Sequence, residues 1–416
     1  MICSFSNPMV RKHYSTKVNP LLRYILAKKG QSTNENIDSA VWNTNAIREF
    51  EKMKEVELHV ITPVRYLSEK EVEFTINGIH YHFFREENSG LFSQIYYQFF
   101  TKHKSLFPGN RRYIKKFISK IKPDIVHVIG AENPQYSLGL LDVPKDIPTI
   151  LQLQALLDSL VKTTQNPLEK VSFAYKGKLE RQVIQQADYI GTEVPSFRDY
   201  IRSKIKPEAE FLDISIAMGK DIDLSETEKR YDFVYFAVGI SKAGDDALKA
   251  FALAQKKHPQ ITLHFVGGYD EAFCRELDGI IEANDLQENV TFAGRLPTVD
   301  DVITEIRKAR FALLPLKMDF LPNTIREAIS NGLPVVTTIT EGGTTLLNSE
   351  HETVLLSAQG DFEAMAANID RLLTEPSLAE KLKTSASSKL DSLQTNNYEM
   401  MLRWTEAYKR IKRDSK

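Results

Sequence analysis

The sequence has few cysteines, almost no net charge and no long apolar run, and each of these absences excludes a class of protein. Two cysteines, Cys3 and Cys274, in 416 residues are too few for a disulfide framework or a cysteine-rich metal motif. A formal net charge of −1 gives no overall attraction to nucleic acid, so we expect no nucleic-acid partner. No apolar run reaches the roughly 18 residues of a sequence-evident transmembrane helix.

The N-terminal residues, MICSFSNPMVRKHYS, also lack the apolar stretch of a signal peptide. A large chain with so few thiols fits a reducing compartment. The sequence therefore favours a cytoplasmic location.

Strand-like and helix-like patterns alternate along the chain, most regularly in its second half. Short apolar runs such as FVYFAVG (233–239), ITLHFVGG (261–268), FALLP (311–315) and PVVTT (334–338) are separated by helical segments. Strands that are apolar on both faces are typical of parallel sheets covered by helices. The first half repeats the pattern with VELHVIT (56–62), a hairpin that turns at Asn77-Gly78, DIVHVIG (124–130), TILQLQ (149–154) and ADYIGT (187–192).

This alternation predicts an α/β protein with two Rossmann-like domains, which also suits the length. We place an N-terminal domain at 1–225 and a C-terminal domain at 226–395, with the polar segment 220–232 as linker. An amphipathic C-terminal helix at 396–416 is expected to extend the second domain.

Two carboxylates eight positions apart follow the strand FALLP, in the stretch LLPLKMDFLPNTIREAISNGLPVVTT (313–338). Ligands of open parallel sheets bind at the carboxyl ends of the strands, and Asp319 lies just past such an end. Pro322 and Asn323 can start the next helix, which places Glu327 in about its first turn. Asn323 and Thr324 are further candidate ligand-binding residues at this helix start. The free N–H groups of a helix start attract phosphate, while carboxylates suit hydroxyl groups. A sugar nucleotide offers both.

This pattern resembles the E-x7-E signature of retaining glycosyltransferases with the GT-B fold, in particular family GT4. The resemblance covers residues 233–375, including REAISNGLPVVTT, GGTTLL and DDALKAFALAQKKHPQITLHFVGG, and in the N-terminal half only the layout and IKPDIVHV. It implies two Rossmann-like domains that face a central cleft. It also implies that Glu327 holds the ribose of a UDP- or GDP-sugar donor and that Asp319 meets the donor sugar.

The resemblance further implies cationic side chains that stabilise the departing diphosphate. In AVGISKAGDD, Gly239 stands where the family has arginine, so Lys242 is the first candidate. Arg295 and Lys317, at strand ends on the same rim, are substitutes. The family's glycine-rich N-terminal loop is absent, since residues 4–46 contain only Gly30.

Acceptor contacts are expected at strand ends of the N-terminal domain, from Gln154, Glu132 and Asn133. Gln154 can bond a sugar hydroxyl but cannot act as a base. We interpret His127, in DIVHVIG, as a buried structural histidine. No histidine, cysteine and carboxylate cluster has metal-ligand spacing, so neither a metal nor a cofactor is expected.

The resulting hypothesis is a retaining glycosyltransferase that passes sugar from a nucleotide donor to a glycan or lipid-linked acceptor in surface polysaccharide or glycoconjugate synthesis. Two alternatives stay open: a non-catalytic GT-B subunit that binds a sugar nucleotide or a partner enzyme, and a nucleotide-sugar epimerase. Residues 92–122 interleave aromatic side chains with lysine and arginine. They form either a buried stripe with a solvated basic face or a surface for peripheral contact with the inner face of a membrane.

Overall fold

The computed structural model describes residues 1–5, 7–28, 40–87, 106–158, 167–192, 194–215, 226–237, 243–269, 271–317, 323–340, 343–348, 351–392 and 397–415. The chain forms two compact units. The first comprises Met1–Met218 together with Asn397–Lys416, and the second comprises Gly219–Asn396.

The first unit is built on a mainly parallel sheet. Its strands are β1 (His59–Val64), β2 (Glu71–Ile76), β3 (Ile79–Arg85), β4 (Val126–Ile129), β5 (Thr149–Gln152), β6 (Tyr189–Gly191) and β7 (Glu210–Leu212). They pair in the orders β1-β3-β2 and β4-β5-β6-β7, and only the β2–β3 pair is antiparallel. Ile2 bridges β1 at Ile61 and β4 at Val128, so the N-terminal segment joins the two groups of strands.

The hairpin predicted at Asn77-Gly78 is confirmed. These residues have φ angles of 51° and 83°, the left-handed pair that a two-residue turn between β2 and β3 requires. The hairpin places β3 between β1 and β2, so side chains of all three strands share each face of this sheet.

The helices of the first unit before its C-terminal segment are α1 (Pro20–Lys28), α2 (Val41–Phe50), α3 (Pro108–Ile121), α4 (Pro134–Ser137), α5 (Pro167–Gln186) and α6 (Pro195–Lys204). All except α2 begin at a proline. The fixed φ of proline suits a first helical turn, where its missing N–H leaves no hydrogen bond unmade.

The second unit contains a six-stranded parallel sheet. Its strands are β8 (Tyr231–Tyr235), β9 (Leu263–Val266), β10 (Val290–Gly294), β11 (Ala309–Leu314), β12 (Val335–Thr338) and β13 (Leu355–Ser357). Its helices are α7 (Gly244–Gln255), α8 (Glu271–Ala283), α9 (Val299–Ile306), α10 (Asn323–Ser330), α11 (Thr344–Leu347), α12 (Phe362–Thr374) and α13 (Pro376–Ser392).

The strand order β10-β9-β8-β11-β12-β13 reads 3-2-1-4-5-6 when strands are numbered within the unit. This is the doubly wound order, in which the direction of winding reverses between the first and fourth strands. Every residue of β9 and β12 is buried, as helices on both faces require. A ligand crevice is expected outside the carboxyl ends of β8 and β11, where the order reverses.

The C-terminal helix α14 (Asn397–Asp414) packs within the first unit, so the expectation that it extends the second domain was wrong. Trp404 is buried, and its Nε1 donates to the carbonyl of Ser215 at 2.9 Å. Phe50 of α2 lies with its ring centroid 6.2 Å from that of Trp404. The apolar face of α14 is therefore covered by residues of the first unit, not by the helices of the second unit that precede it in the chain. Among the described residues, no helix is long and apolar enough to cross a bilayer.

Candidate functional site

The start of α7 and the end of β11 are joined by an ion pair at the point where the winding of the second unit reverses. Lys317 Nζ lies 3.2 Å and 3.3 Å from the two carboxylate oxygens of Asp245, and Lys249 Nζ lies 2.9 Å from one of them. Burial would raise the pKa of Asp245, but the two lysines outweigh it and hold that pKa below its usual value. Lys317 is thus held by an ionised partner.

Two threonines of β12 position the end of β11. Thr338 Oγ1 accepts from the N–H of Leu316 at 2.8 Å and donates to its carbonyl at 2.6 Å. Thr337 Oγ1 donates to the carbonyl of Leu314 at 2.7 Å. The threonines in PVVTT therefore satisfy backbone groups where β11 ends, just before Lys317.

Helix α10 begins at Asn323, as predicted, and carries the donor candidates Thr324 and Glu327. Thr324 Oγ1 is buried and has no hydrogen-bond partner among the described residues. A buried hydroxyl without a partner is costly, so a ligand group at this position would be stabilising. Glu327 is half-buried and lies at the fifth position of the helix. Asp319, Lys242 and Gly239 lie outside the described residues.

Arg295 follows β10 at the same edge of the sheet and is exposed. Its aliphatic part lies so close to Gly268 that a Cβ added there would be 2.9 Å from Arg295 Cβ. Tyr269 comes next in the chain, and its hydroxyl is buried without a hydrogen-bond partner among the described residues. Burial also raises the pKa of Tyr269. Tyr269 was not among the predicted site residues, although its position just after the apolar run ITLHFVGG (261–268) is a usable signal.

The three acceptor candidates of the first unit lie together. Asn133 Nδ2 donates to Glu132 Oε1 at 2.6 Å. With the Gln154 amide oriented to satisfy its neighbours, its nitrogen donates to the same oxygen at 2.9 Å and its oxygen accepts from Trp42 Nε1. Gly130, with φ 93°, leaves room for this network, since a Cβ there would lie 2.7 Å from Glu132 Oε1.

Glu180 of α5, which the sequence pattern does not single out, is buried near this network. One carboxylate oxygen of Glu180 accepts from the N–H of Leu157 at 3.0 Å, and the other has no partner among the described residues. Burial, followed by repulsion from Glu132, raises the pKa of Glu180 to about 8. Burial raises the pKa of Glu132 to about 7 against the opposing charge of Lys176. Glu132 Oε2 is likewise buried without a partner in the described part of the chain.

His127 is buried, as predicted. Its Nδ1 lies 2.7 Å from the hydroxyl of Tyr408 on α14, and burial lowers the pKa of His127 to about 3. This neutral histidine therefore serves packing between β4 and α14.

The basic residues of α3 mostly face acidic partners. Lys116 lies 2.5 Å from Glu71 of β2, and Lys120 lies 2.6 Å from Glu73. Arg111 contacts Asp142 through two hydrogen bonds of 2.6 Å and 2.9 Å. Phe117, on the opposite side, is fully buried. These pairs neutralise much of the positive charge on this helix. The rest of the aromatic and basic segment, residues 92–105, lies outside the described residues.

Comparisons with known proteins agree with this geometry. Residues 222–389, which lie within the second unit, match the family model "Glycosyl transferases group 1". An uncharacterized glycosyltransferase of Haemophilus influenzae is 30% identical over 151 residues, which are 36% of this chain and 41% of that protein. The matched part is thus less than half of that relative.

Solved structures resemble this fold over most of its length. Sucrose-phosphate synthase from Thermosynechococcus elongatus superposes with a TM-score of 0.70 at 16% identity, covering 99% of this chain and 98% of that one. The E. coli trehalose-6-phosphate structure bound with UDP-2-fluoro glucose gives a TM-score of 0.65 at 12% identity, covering 89% and 95%. These neighbours are GT-B glycosyltransferases, and the predicted α/β, GT-B fold is confirmed.

Proposed function

We propose that this protein is a glycosyltransferase that transfers a sugar, with retention, from a nucleotide-sugar donor to a glycan or lipid-linked acceptor. The proposal rests on the second unit. This unit has the doubly wound strand order, matches the glycosyltransferase family model and carries polar side chains where its winding reverses. The structurally similar E. coli protein bound with UDP-2-fluoro glucose supports a nucleoside diphosphate sugar as the class of donor. A role in surface polysaccharide or glycoconjugate synthesis in the cytoplasm is part of the proposal.

In the second unit, Glu327 would bind the ribose hydroxyls. The hydroxyl of Thr324, which has no hydrogen-bond partner among the described residues, and the side chain of Asn323 would meet the donor beside it. Asp319 would contact the donor sugar. Glu327 lies on a helix whose first turn presents backbone N–H groups, which favours a nucleotide at this position.

The diphosphate would be stabilised by Lys242, with Lys317 and Arg295 as further cations. Lys317 is already fixed by Asp245 and by the threonine contacts to Leu316, so its charge needs little reorganisation when a diphosphate leaves. Preorganised charge of this kind is a large term in catalysis. The leaving phosphate would itself take the acceptor proton, as the resemblance to GT4 enzymes implies, so no separate general base is assigned.

The acceptor would bind in the first unit at Glu132, Asn133 and Gln154, and we add Glu180 to this group because it is buried near Glu132. Among the described residues, Glu132 Oε2 and Glu180 Oε1 have no hydrogen-bond partner. The first is suited to receive a hydrogen bond from a sugar hydroxyl, and the second, which keeps its proton up to about pH 8, is suited to donate one. Such contacts would orient the attacking hydroxyl, and orientation alone can lower a transfer barrier by several kcal/mol.

Peripheral membrane contact is a further part of the proposal for a lipid-linked acceptor. Arg112 and Lys115 of α3 are exposed and have no ion-pair partner among the described residues. They are the cations best placed to meet an anionic lipid surface.

The test is a panel of UDP- and GDP-sugars, in which nucleotide release and the fate of the sugar are both measured. Transfer or slow hydrolysis that is lost in Glu327→Gln, and kept in the exposed control Glu288→Gln, would support the proposal. Isomerised sugar without release of nucleotide would favour an epimerase. Donor binding without any turnover would favour a non-catalytic subunit.

A further inference from the structure

Polar side chains line one face of the β1-β3-β2 sheet in the first unit. The parallel register sets His59 opposite His80, and the antiparallel register sets Thr75 opposite His80 and Glu73 opposite His82. Because side chains alternate along a strand, residues two apart share a face. That face therefore carries His59, Glu73, Thr75, His80 and His82. Glu57, just before β1, contacts the two histidines His59 and His80.

Three of these residues point ligand atoms at one position. Glu57 Oε1 lies 3.1 Å from His59 Nε2 and 3.7 Å from His80 Nε2. All three atoms lie within 4.8 Å of one another. Ligands at about 2.0–2.2 Å around a tetrahedral zinc ion are roughly 3.3 Å apart. The existing spacing thus needs only small side-chain adjustments to hold such an ion.

The other ring nitrogen of each histidine is already engaged. His59 Nδ1 lies 2.9 Å from His82 Nε2, and His82 Nδ1 lies 2.7 Å from Glu73 Oε2. His80 Nδ1 lies 3.0 Å from Thr75 Oγ1. Histidines that bind metals usually donate their second N–H to such a partner, which fixes the tautomer and the ring orientation. Here that arrangement leaves both Nε2 atoms directed at Glu57.

We propose that Glu57, His59 and His80 form a Zn²⁺ site, with His82 and Thr75 as positioning residues. Two imidazoles and one carboxylate suit zinc, whereas Mg²⁺ and Ca²⁺ prefer oxygen ligands. Glu57 and His80 have side chains that are 74% and 36% exposed, so the ion can enter from solvent and keep a water as fourth ligand.

The bound ion would tie the start of β1 to β3 and stabilise the first unit. Sequence spacing did not reveal the site, because the strand register that pairs His59 with His80 depends on the intervening hairpin. This inference is independent of the proposed transferase activity.

The experiment is calorimetric titration of the full chain, without an affinity tag and after removal of metals, with Zn²⁺ and separately with Mg²⁺. We expect one Zn²⁺ per chain, no comparable binding of Mg²⁺, and a higher melting temperature with zinc. Co²⁺ in place of zinc should give the visible absorption of a four-coordinate site.

Variants distinguish this site from adventitious binding. His82→Phe should weaken Zn²⁺ binding by roughly 10- to 100-fold, as for loss of an outer partner, and His80→Ala should weaken it more. The control His258→Ala removes a histidine of the second unit that pairs with Asp370 and should leave zinc affinity unchanged. Circular dichroism of the metal-free variants would establish that they fold. Absence of stoichiometric zinc binding, or equal binding by wild type and a folded His80→Ala or Glu57→Gln variant, would overturn the proposal.

Discussion

Replacing Glu180 by glutamine should stabilise the first unit at alkaline pH and reduce the dependence of its stability on pH. Glu180 is only 2% exposed, and its pKa is raised from 4.5 to about 8, first by burial and then by the charge of Glu132. Between these pH values the folded protein keeps a proton that the unfolded chain has lost. The free energy of unfolding therefore falls as pH rises from about 4.5 to about 8 and then levels off.

The magnitude follows from this interval. At about 1.4 kcal/mol per pKa unit, the difference between 4.5 and about 8 sets an upper limit of about 5 kcal/mol. Relaxation around the charged carboxylate and entry of water reduce the effect, so we expect about 2 kcal/mol. Glutamine keeps the acceptor for the N–H of Leu157 and resembles the protonated acid. Its advantage over wild type should grow from pH 5 to pH 8.

Tryptophan fluorescence isolates this effect, because both tryptophans of the chain, Trp42 and Trp404, belong to the first unit. Urea unfolding would be followed by fluorescence at pH 5, 6.5, 8 and 9 for wild type, Glu180→Gln and the exposed control Glu208→Gln. The reasoning would be refuted if the difference between wild type and Glu180→Gln stayed the same at every pH. It would also be refuted if the control reproduced the change.

Four further predictions concern the donor site and the basic helix. Glu327→Ala should weaken donor binding by roughly 1.5–3 kcal/mol in calorimetry, whereas Asp319→Ala should mainly lower turnover; unchanged affinity in the first variant would contradict its ribose role. Lys242→Ala should lower turnover about 100-fold. Lys317→Ala should lower it less, because the charge of Lys317 is already partly neutralised by Asp245. Full activity of both variants would contradict the proposal that these lysines bind the diphosphate. Thr338→Val should cost about 1–3 kcal/mol in urea unfolding, because the buried N–H of Leu316 loses its acceptor, while Thr304→Val on an exposed helix face should cost little. At low salt, less of the double variant Arg112→Gln, Lys115→Gln should co-sediment with anionic vesicles than of Arg111→Gln or wild type. Equal binding by the three proteins would leave a soluble acceptor as the better hypothesis.

Parts of the candidate site were predictable because strand ends can be recognised locally. Gln154, Glu132 and Asn133 follow apolar runs, which predicts that they lie at strand ends, and the structure brings them into one hydrogen-bond network. The position of Glu327 near a helix start is likewise predictable from neighbouring residues. Glu180 could not be found this way, since it lies inside a helix and becomes buried only when α5 packs near Leu157 and Glu132, which follow β5 and β4 in the chain.

The sequence by itself determined the alternation of strands and helices, the hairpin at Asn77-Gly78 and the division into two α/β halves. These features depend on apolar periodicity and on backbone angles that a few neighbouring residues favour, so short segments carry them. The tertiary structure decided which distant segments meet. The amphipathic pattern of α14 predicts a buried face but does not specify its partner, and the surface that covers Trp404 belongs to the first unit. In the same way, only the register of β1 against β3 sets His59 opposite His80, because strand pairing joins residues that are remote in the chain.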